Sequence, residues 1–365
     1  MQITKIVVTG GPCGGKSTAQ SRIQEHFTKL GYAVLFVPET ATELITGGVA
    51  PWTLETNAGF QRLLLRLQLE KERVYMEAAA KVKDADKVLI VCDRGAIDNM
   101  VYMQPSEFTA ILDSFGLNEV ELRDSYDAVF HLVTAAKGAE EFYTTANNNA
   151  RKETPEQAAA LDDRLIAAWT GHPHLRIIDN SSDFSGKMHR LIEEIASLLG
   201  EPEPLEIERK FLIEYPDMSW LSSLQSCERI EIIQTYLIAP AGDEVRVRQR
   251  GRDGHYVYYR TTKRRISPIS RIETEQRLSR SEYLRLLMDA DTSRRQIRKD
   301  RYCMVYNSQY FELDVYPFWK DKAILEIELC DAAAEISLPP ELHVIREVTE
   351  DPAYSNAALA ATAPA

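Results

Sequence analysis

Residues 5–18 read KIVVTGGPCGGKST. A short apolar run stops at Thr9, a glycine-rich loop follows, and Lys16-Ser17-Thr18 opens a stretch with helical periodicity. The loop, Gly10, Gly11, Pro12, Cys13, Gly14, Gly15, Lys16 and Ser17, fits the spacing GxxxxGK[ST] in the strand-to-helix context that this spacing requires. Glycines let successive backbone N–H groups turn toward phosphate oxygens. Lys16 neutralises the β- and γ-phosphates, and Ser17 supplies a hydroxyl for Mg²⁺. The ligand expected here is a nucleoside triphosphate, with ATP and GTP equally compatible. A chance glycine-rich turn is the competing explanation, and the flanking strand and helix argue against it.

Outward from that loop, apolar runs at 5–8, 33–37, 88–91, 128–133 and 175–178 alternate with helical stretches at 16–30, 58–83, 156–169 and 184–199. Continuous apolar strands separated by helices predict a parallel sheet covered on both faces. The pattern ends at Gly200-Glu201-Pro202-Glu203-Pro204, a helix stop followed by an extended charged segment. A chain of 365 residues has room for two domains. The boundary belongs here, with domains over 1–200 and 204–350 and a tail over 351–365. The end of that tail, 357–365, is rich in alanine and is expected to fray.

Past the boundary the period changes to two. Strand-like segments occur at 205–213, 229–239, 244–250, 255–263, 271–278, 294–303, 309–316 and 323–330, with one helix at 281–289. Turn residues such as Gly251-Arg252-Asp253-Gly254 and Asn307-Ser308 separate several of them. The fold class is therefore α/β plus mainly β: a parallel-sheet nucleotide-binding domain, then an eight-stranded antiparallel β-barrel or sandwich.

Side chains at the carboxyl ends of parallel strands line the ligand crevice of an open α/β sheet. Glu39 follows the second strand, and Asp93-Arg94 ends the third. Asp93 is placed to hold Mg²⁺ through water, Arg94 to meet phosphate charge, and Glu39 to take a proton from an attacking hydroxyl. For Glu39 a solvated loop acid is the alternative. With these residues the first half resembles the small nucleoside-kinase-like P-loop proteins, which the resemblance implies would use Arg151 of Arg151-Lys152-Glu153 in a lid and Asn180 near the base.

The second half sorts charge by face. Residues i, i+2 and i+4 of a strand point the same way, so Glu206, Glu208 and Lys210 share a face opposite Ile207. Arg246, Arg248 and Arg250 oppose Val245 and Val247, Glu273 and Glu275 oppose Ile272, and Glu312 and Asp314 oppose Leu313. Glu326 and Glu328 likewise oppose Ile327, while Lys263, Lys299 and Arg301 add cations. Solvated faces ordinarily mix in Ser, Thr, Asn and Gln. These faces are almost wholly acids, Arg and Lys, which predicts a charged lumen with its apolar side turned outward. Clustered carboxylates with guanidinium groups would hold a divalent cation and a polyphosphate together, and all-oxygen donors favour Mg²⁺ or Mn²⁺.

Glu206-Ile207-Glu208-Arg209-Lys210 is the ExExK pattern of the CYTH, or triphosphate tunnel metalloenzyme, family. Arg246-Val247-Arg248, Lys263, Glu273-Thr274-Glu275, Lys299-Asp300-Arg301, Glu312-Leu313-Asp314 and Glu326-Ile327-Glu328 follow in family order. The resemblance implies that Glu206, Glu208, Glu275, Asp314, Glu326 and Glu328 serve a metal. It likewise assigns Lys210, Arg246, Arg248, Lys263, Lys299 and Arg301 to a triphosphate. Catalysis then falls to Glu206, Glu208 and Lys210 in the tunnel, with Glu39 beside the P-loop. Such a chain would hydrolyse inorganic triphosphate or a nucleoside triphosphate. Two other readings stay open. One is a GTP- or ATP-switched binding protein whose tunnel holds a phosphoinositide head group without turnover. The other is a small-molecule kinase in the first domain.

The bulk composition narrows the partners. A net charge of −12 counts against nonspecific nucleic-acid binding. Five scattered cysteines without a CxxC pair exclude a zinc ribbon and suit a reducing cytoplasm. No apolar run is long enough to span a bilayer.

Overall fold

The computed structural model describes residues 1–142, 154–201, 207–240, 243–265, 271–329 and 333–362. The chain divides into two compact units, Met1–Leu199 and Gly200–Ala365.

The first unit contains β1 (Gln2–Thr9), α1 (Lys16–Lys29), β2 (Tyr32–Val37), α2 (Thr40–Thr46), α3 (Asn57–Ala79), β3 (Lys87–Asp93), α4 (Pro105–Ser114), α5 (Glu119–Arg123), β4 (Ala128–Leu132), α6 (Pro155–Trp169), β5 (Leu175–Ile178) and α7 (Phe184–Leu199). The five strands form a parallel sheet in the order β2-β3-β1-β4-β5, as the apolar runs predict. Ile6, Val7 and Val8 are all buried, because both faces of the central strand are covered. On one face α1 contributes Ile23 and Phe27, and α7 contributes Leu191 and Ile195. Each such buried side chain contributes about 1.5–3 kcal/mol. Helix α6 starts where its capping box dictates: Thr154 and Gln157 satisfy one another's backbone N–H, and Pro155 occupies the first turn. Its far end buries Trp169, whose indole N–H donates to Asp98 at 2.7 Å.

The second unit contains β6 (Ile207–Glu214), α8 (Met218–Ser223), β7 (Cys227–Leu237), β8 (Asp243–Arg252), β9 (His255–Arg265), β10 (Arg271–Leu278), α9 (Arg280–Leu286), β11 (Ile297–Tyr306), β12 (Gln309–Val315), β13 (Lys322–Leu329), β14 (Val344–Glu347) and α10 (Asn356–Thr362). Their antiparallel order is β10-β9-β8-β7-β11-β12-β13-β6-β14. The expected eight strands become nine because β14 adds to the free edge of β6. Among the described residues no ladder joins β10 to β14.

The apolar side of this sheet is covered, as the sorting of charge predicts. Phe211, Phe311, Leu313, Leu325 and Ile327 pack with Leu221 of α8 and with Leu342. Around β8, Val245 and Val247 pack against Tyr283 of α9. The expectation of a frayed tail is corrected. Asn356–Thr362 is helical, and Leu359 and Ala360 are buried against Tyr236, Ile297, Tyr316 and Ile324. Ile297, Tyr316 and Ile324 lie two residues along the chain from Lys299, Asp314 and Glu326, so α10 covers one end of the charged face.

Candidate functional sites

In the first unit, β1 delivers the chain into the glycine loop beneath the end of β4. A Cβ on Gly10 would lie 2.1 Å from the Leu132 carbonyl oxygen, and one on Gly14 would lie 2.6 Å from it. Nothing larger than glycine fits there. Cys13 adopts a left-handed φ of 56° and is partly exposed. Helix α1 begins at Gly15 with no side-chain cap, so the N–H groups of its first turn stay open to an anion. Ser17 and Thr18 are exposed at that turn. Pro12 faces inward, its carbonyl accepting from the Thr134 hydroxyl.

Lys16, Glu39, Asp93 and Arg94 converge. Arg94 takes a left-handed φ of 68° and donates from Nε to Glu39 at 2.7 Å. Asp93 accepts from Gln20 at 2.8 Å. Asp93 Oδ1 and Arg94 Nη1 are buried with no hydrogen-bond partner among the described residues, as expected of groups awaiting a polar ligand. Burial, reinforced by Arg94, outweighs Asp93 and Glu39 and brings the Lys16 ammonium down to about 8. Burial alone would push Glu39 up, but Arg94 and Lys16 prevail and hold it at about 2. A carboxylate that acidic is a poor proton acceptor and a good anchor for Arg94.

Asn180 is spent internally. Its amide donates to the Thr134 carbonyl at 2.8 Å and the Lys137 carbonyl at 2.6 Å, and its oxygen accepts from Lys187 at 2.8 Å. Arg151 lies outside the described residues, as does Glu206 in the second unit.

In the second unit, register sets the charged face. Glu208 pairs with Glu328 and Lys210 with Glu326 across β6–β13, Glu312 with Glu326 across β12–β13, and Arg301 with Asp314 across β11–β12. Arg301 Nε and Nη2 grip both oxygens of Asp314 at 2.7 Å, and Nη2 also reaches Glu326 at 2.8 Å. Its Nη1 donates to Glu312, and Lys299 donates to Asp314. Lys210 lies 2.9 Å from Glu326 and 3.5 Å from Glu208. Further along the face, Arg248 and Thr261 both donate to Glu275, at 2.8 Å and 3.0 Å. Arg246 and Lys263 are partly buried on the same face.

The acids are not equivalent. Asp314 is fully enclosed, both oxygens taken by Lys299 and Arg301. Glu326 is held well below the usual carboxylate range, Arg301, Lys210 and Lys299 outweighing its burial. Glu208 goes the other way, raised to about 7 by burial and by repulsion from Glu326 and Glu328. That repulsion marks a surplus of negative charge which a cation would relieve. Among the described residues, no three acids, cysteines or histidines already stand together as a metal site.

One strand departs from the sorted charge. The residues of β7 on this face are Ile230, Ile232, Gln234 and Tyr236, opposite Arg250, Arg248 and Arg246 of β8. Ile230 and Ile232 pack with Cys303 and Tyr310, giving the face an apolar floor. Sequence reasoning also missed Asp162, which lies under the P-loop. A polar residue on the buried side of an amphipathic helix was the available signal.

The chain thus joins a glycine-rich loop on a five-stranded parallel sheet to an antiparallel sheet with one charged face. The AAA domain family matches residues 5–187, and the CYTH domain family matches residues 204–347. The chain belongs to the AAA domain family, in the arrangement of an AAA domain followed by a CYTH domain. Its second part is similar to an inorganic triphosphatase of Nitrosomonas europaea, 35% identical over 164 residues, 44% of this chain and 99% of that protein. A crystal structure of an inorganic triphosphatase is similar at 30% identity and a TM-score of 0.32, over 44% of this chain and 97% of the other. A protein of Pyrococcus horikoshii is similar at 21% identity and a TM-score of 0.27, over 38% and 82%. Among the described residues no helix is long and apolar enough to cross a membrane, and none of Cys13, Cys92, Cys227 and Cys303 is in a disulfide.

Proposed function

We propose that the second unit hydrolyses inorganic triphosphate or a nucleoside triphosphate with a divalent metal ion, and that the first binds ATP or GTP. The observation that carries the first part is the surplus negative charge at Glu208, Glu326 and Glu328 beside a row of cations on one sheet face. Mg²⁺ or Mn²⁺ at those carboxylates would neutralise phosphate oxygens and activate water. Lys210 then bridges the acids and the substrate, while Arg246, Arg248 and Lys263 spread the charge of the phosphate chain. Lys299, Arg301 and Asp314 are assigned a different task. Their charges are spent on one another, so they fix the floor against which Glu326 is held.

A substrate panel on the full chain tests this reading. Tripolyphosphate, ATP, GTP and pyrophosphate are offered with Mg²⁺ or Mn²⁺ to wild type, Lys16→Ala and Glu208→Gln. Tripolyphosphate or NTP cleavage that survives Lys16→Ala and is lost in Glu208→Gln is expected. Cleavage lost in Lys16→Ala and kept in Glu208→Gln would move the chemistry to the P-loop.

At the P-loop, pH gives a separate expectation. Phosphate binding favours the charged ammonium, but free Lys16 loses its proton near pH 8. Nucleotide binding must therefore take up a proton above that pH, and affinity falls by up to about tenfold per pH unit there, staying flat below about 7. Titration with a fluorescent nucleotide from pH 6.5 to 9.5 checks this. Constant affinity across that range would exclude Lys16 as the titrating group.

A further inference from the structure

Asp162 lies in the interior of α6, on the side that buries Ala158, Leu161, Leu165 and Trp169. The fold asks for an apolar residue there, and a buried carboxylate is costly unless fully hydrogen-bonded. It is fully hydrogen-bonded, and its donors lie at the mouth of the P-loop. Oδ1 accepts from the Gly11 N–H at 2.9 Å, the Thr134 N–H at 3.1 Å and His131 Nε2 at 2.9 Å. Oδ2 accepts from Lys137 at 3.1 Å. The imidazole of His131 is enclosed, and its Nδ1 has no partner among the described residues. An ionised carboxylate only accepts, so Nε2 carries a hydrogen and donates it to Asp162.

The loop is thus held from inside at two successive residues. Gly11 is held through its N–H by Asp162, and Pro12 through its carbonyl by the Thr134 hydroxyl. Thr134 is itself tied to Asp162. Gly11 admits no larger residue, since a Cβ would stand 2.8 Å from Asp162 Oδ1. Fixing these two peptides sets the course of the loop toward Gly15 and the uncapped first turn of α1, where an anion would meet the helix N–H groups. The single charge of Asp162 so close to a phosphate site is offset by Lys137 and by the N–H dipoles pointed at it.

We propose that Asp162 is a positioning residue of the nucleotide site, holding the P-loop in its phosphate-accepting shape before ligand arrives. The proposal rests on the first unit's binding of ATP or GTP. It concerns affinity, because a loop not pre-shaped must be ordered at the expense of binding free energy. A tether of α6 to the sheet with no bearing on the loop is the alternative.

The test is a titration of the full chain with fluorescent ATP and GTP analogues and Mg²⁺, reading dissociation constant and stoichiometry separately. Asp162→Ala is expected to weaken binding at least about tenfold at unchanged stoichiometry. Asp162→Asn keeps an oxygen for Gly11 and Thr134 and is expected to stay within about threefold of wild type. A purely structural role would lower the stoichiometry and leave the constant of the folded fraction alone. That result, or an unchanged constant in Asp162→Ala while Lys16→Ala loses binding, would overturn the proposal. Should Asp162→Ala not fold, Asp162→Ser, whose oxygen is too short to reach Gly11, takes its place with the same outcomes. Absence of binding in the wild type would instead overturn the nucleotide reading itself, and the role of Asp162 with it.

Discussion

Arg301→Met is expected to destabilise the second unit by about 3–5 kcal/mol, the cost of stripping one partner from a buried ion network. Arg301 is 7% exposed and touches Asp314, Glu326 and Glu312, with Lys299 also on Asp314 and Lys210 also on Glu326. Removing the guanidinium strips Asp314, Glu326 and Glu312 of a shared cation in a buried position. Arg301→Lys should recover little, since a single ammonium cannot span the carboxylates that the planar fork holds. The deficit should shrink as pH falls. Without Arg301 the acids bind protons more tightly when folded than when unfolded, so acid favours the folded variant. Calorimetry of the full chain checks this, with transitions assigned to each unit by hydrogen exchange. For a unit of this size the expected fall in melting temperature is roughly 6–20 °C. A fall of under 2 °C at neutral pH would mean the network contributes nothing net.

The same network shows what the sequence could and could not reveal. Alternation placed Lys210, Asp314, Arg301 and Glu326 on one face, because period two is a property of any strand. Which carboxylate each cation holds depends on register, and register is set by long-range pairing that no local pattern encodes. Asp314 and Glu328 look alike in sequence, yet one is sealed between Lys299 and Arg301 while the other pairs across β6 with Glu208. β7 was legible as a strand but not as the apolar floor, since its sharing of a face with Arg246 and Arg248 appears only once it lies beside β8. In the first unit the parallel sheet and the loop were plain, for continuous apolar runs and glycine spacing are local signals. Asp162 was not, because its partner Gly11 is 151 residues away. β14 and α10 escaped for a third reason: both are short, weakly patterned segments ordered by the surface they land on.

Glu208→Gln is expected to abolish triphosphate hydrolysis, by at least about 100-fold, while making the metal-free protein more stable above pH 7. Under the proposed function the loss follows from removing a carboxylate that would hold the metal and orient its water. The gain in stability follows from the raised acidity constant. Glu208 titrates at about 7 when folded, pushed up by burial and then by Glu326 and Glu328, against an ordinary value of 4.5. A group that holds its proton more tightly when folded contributes stability below pH 4.5 and loses it as pH rises through 7. The neutral amide of the variant escapes that loss. Melting temperatures of wild type and variant, both treated with chelator, should therefore coincide near pH 4 and diverge between pH 5 and 8, the variant ending higher. The divergence is tempered by water, since the side chain is 37% exposed. Added Mn²⁺ should reverse the order at pH 8, raising the melting temperature of wild type and leaving the variant nearly unmoved, since binding to the folded state alone stabilises it. A destabilised variant at pH 8 without metal would show that Glu208 is held by the fold. Full activity in the variant would remove it from the reaction. Residues kept against the interest of the fold are those whose strain is spent on function. Glu208 and Asp314 therefore make opposite demands. The first should cost stability until a cation arrives, and the second should supply stability whether or not one does.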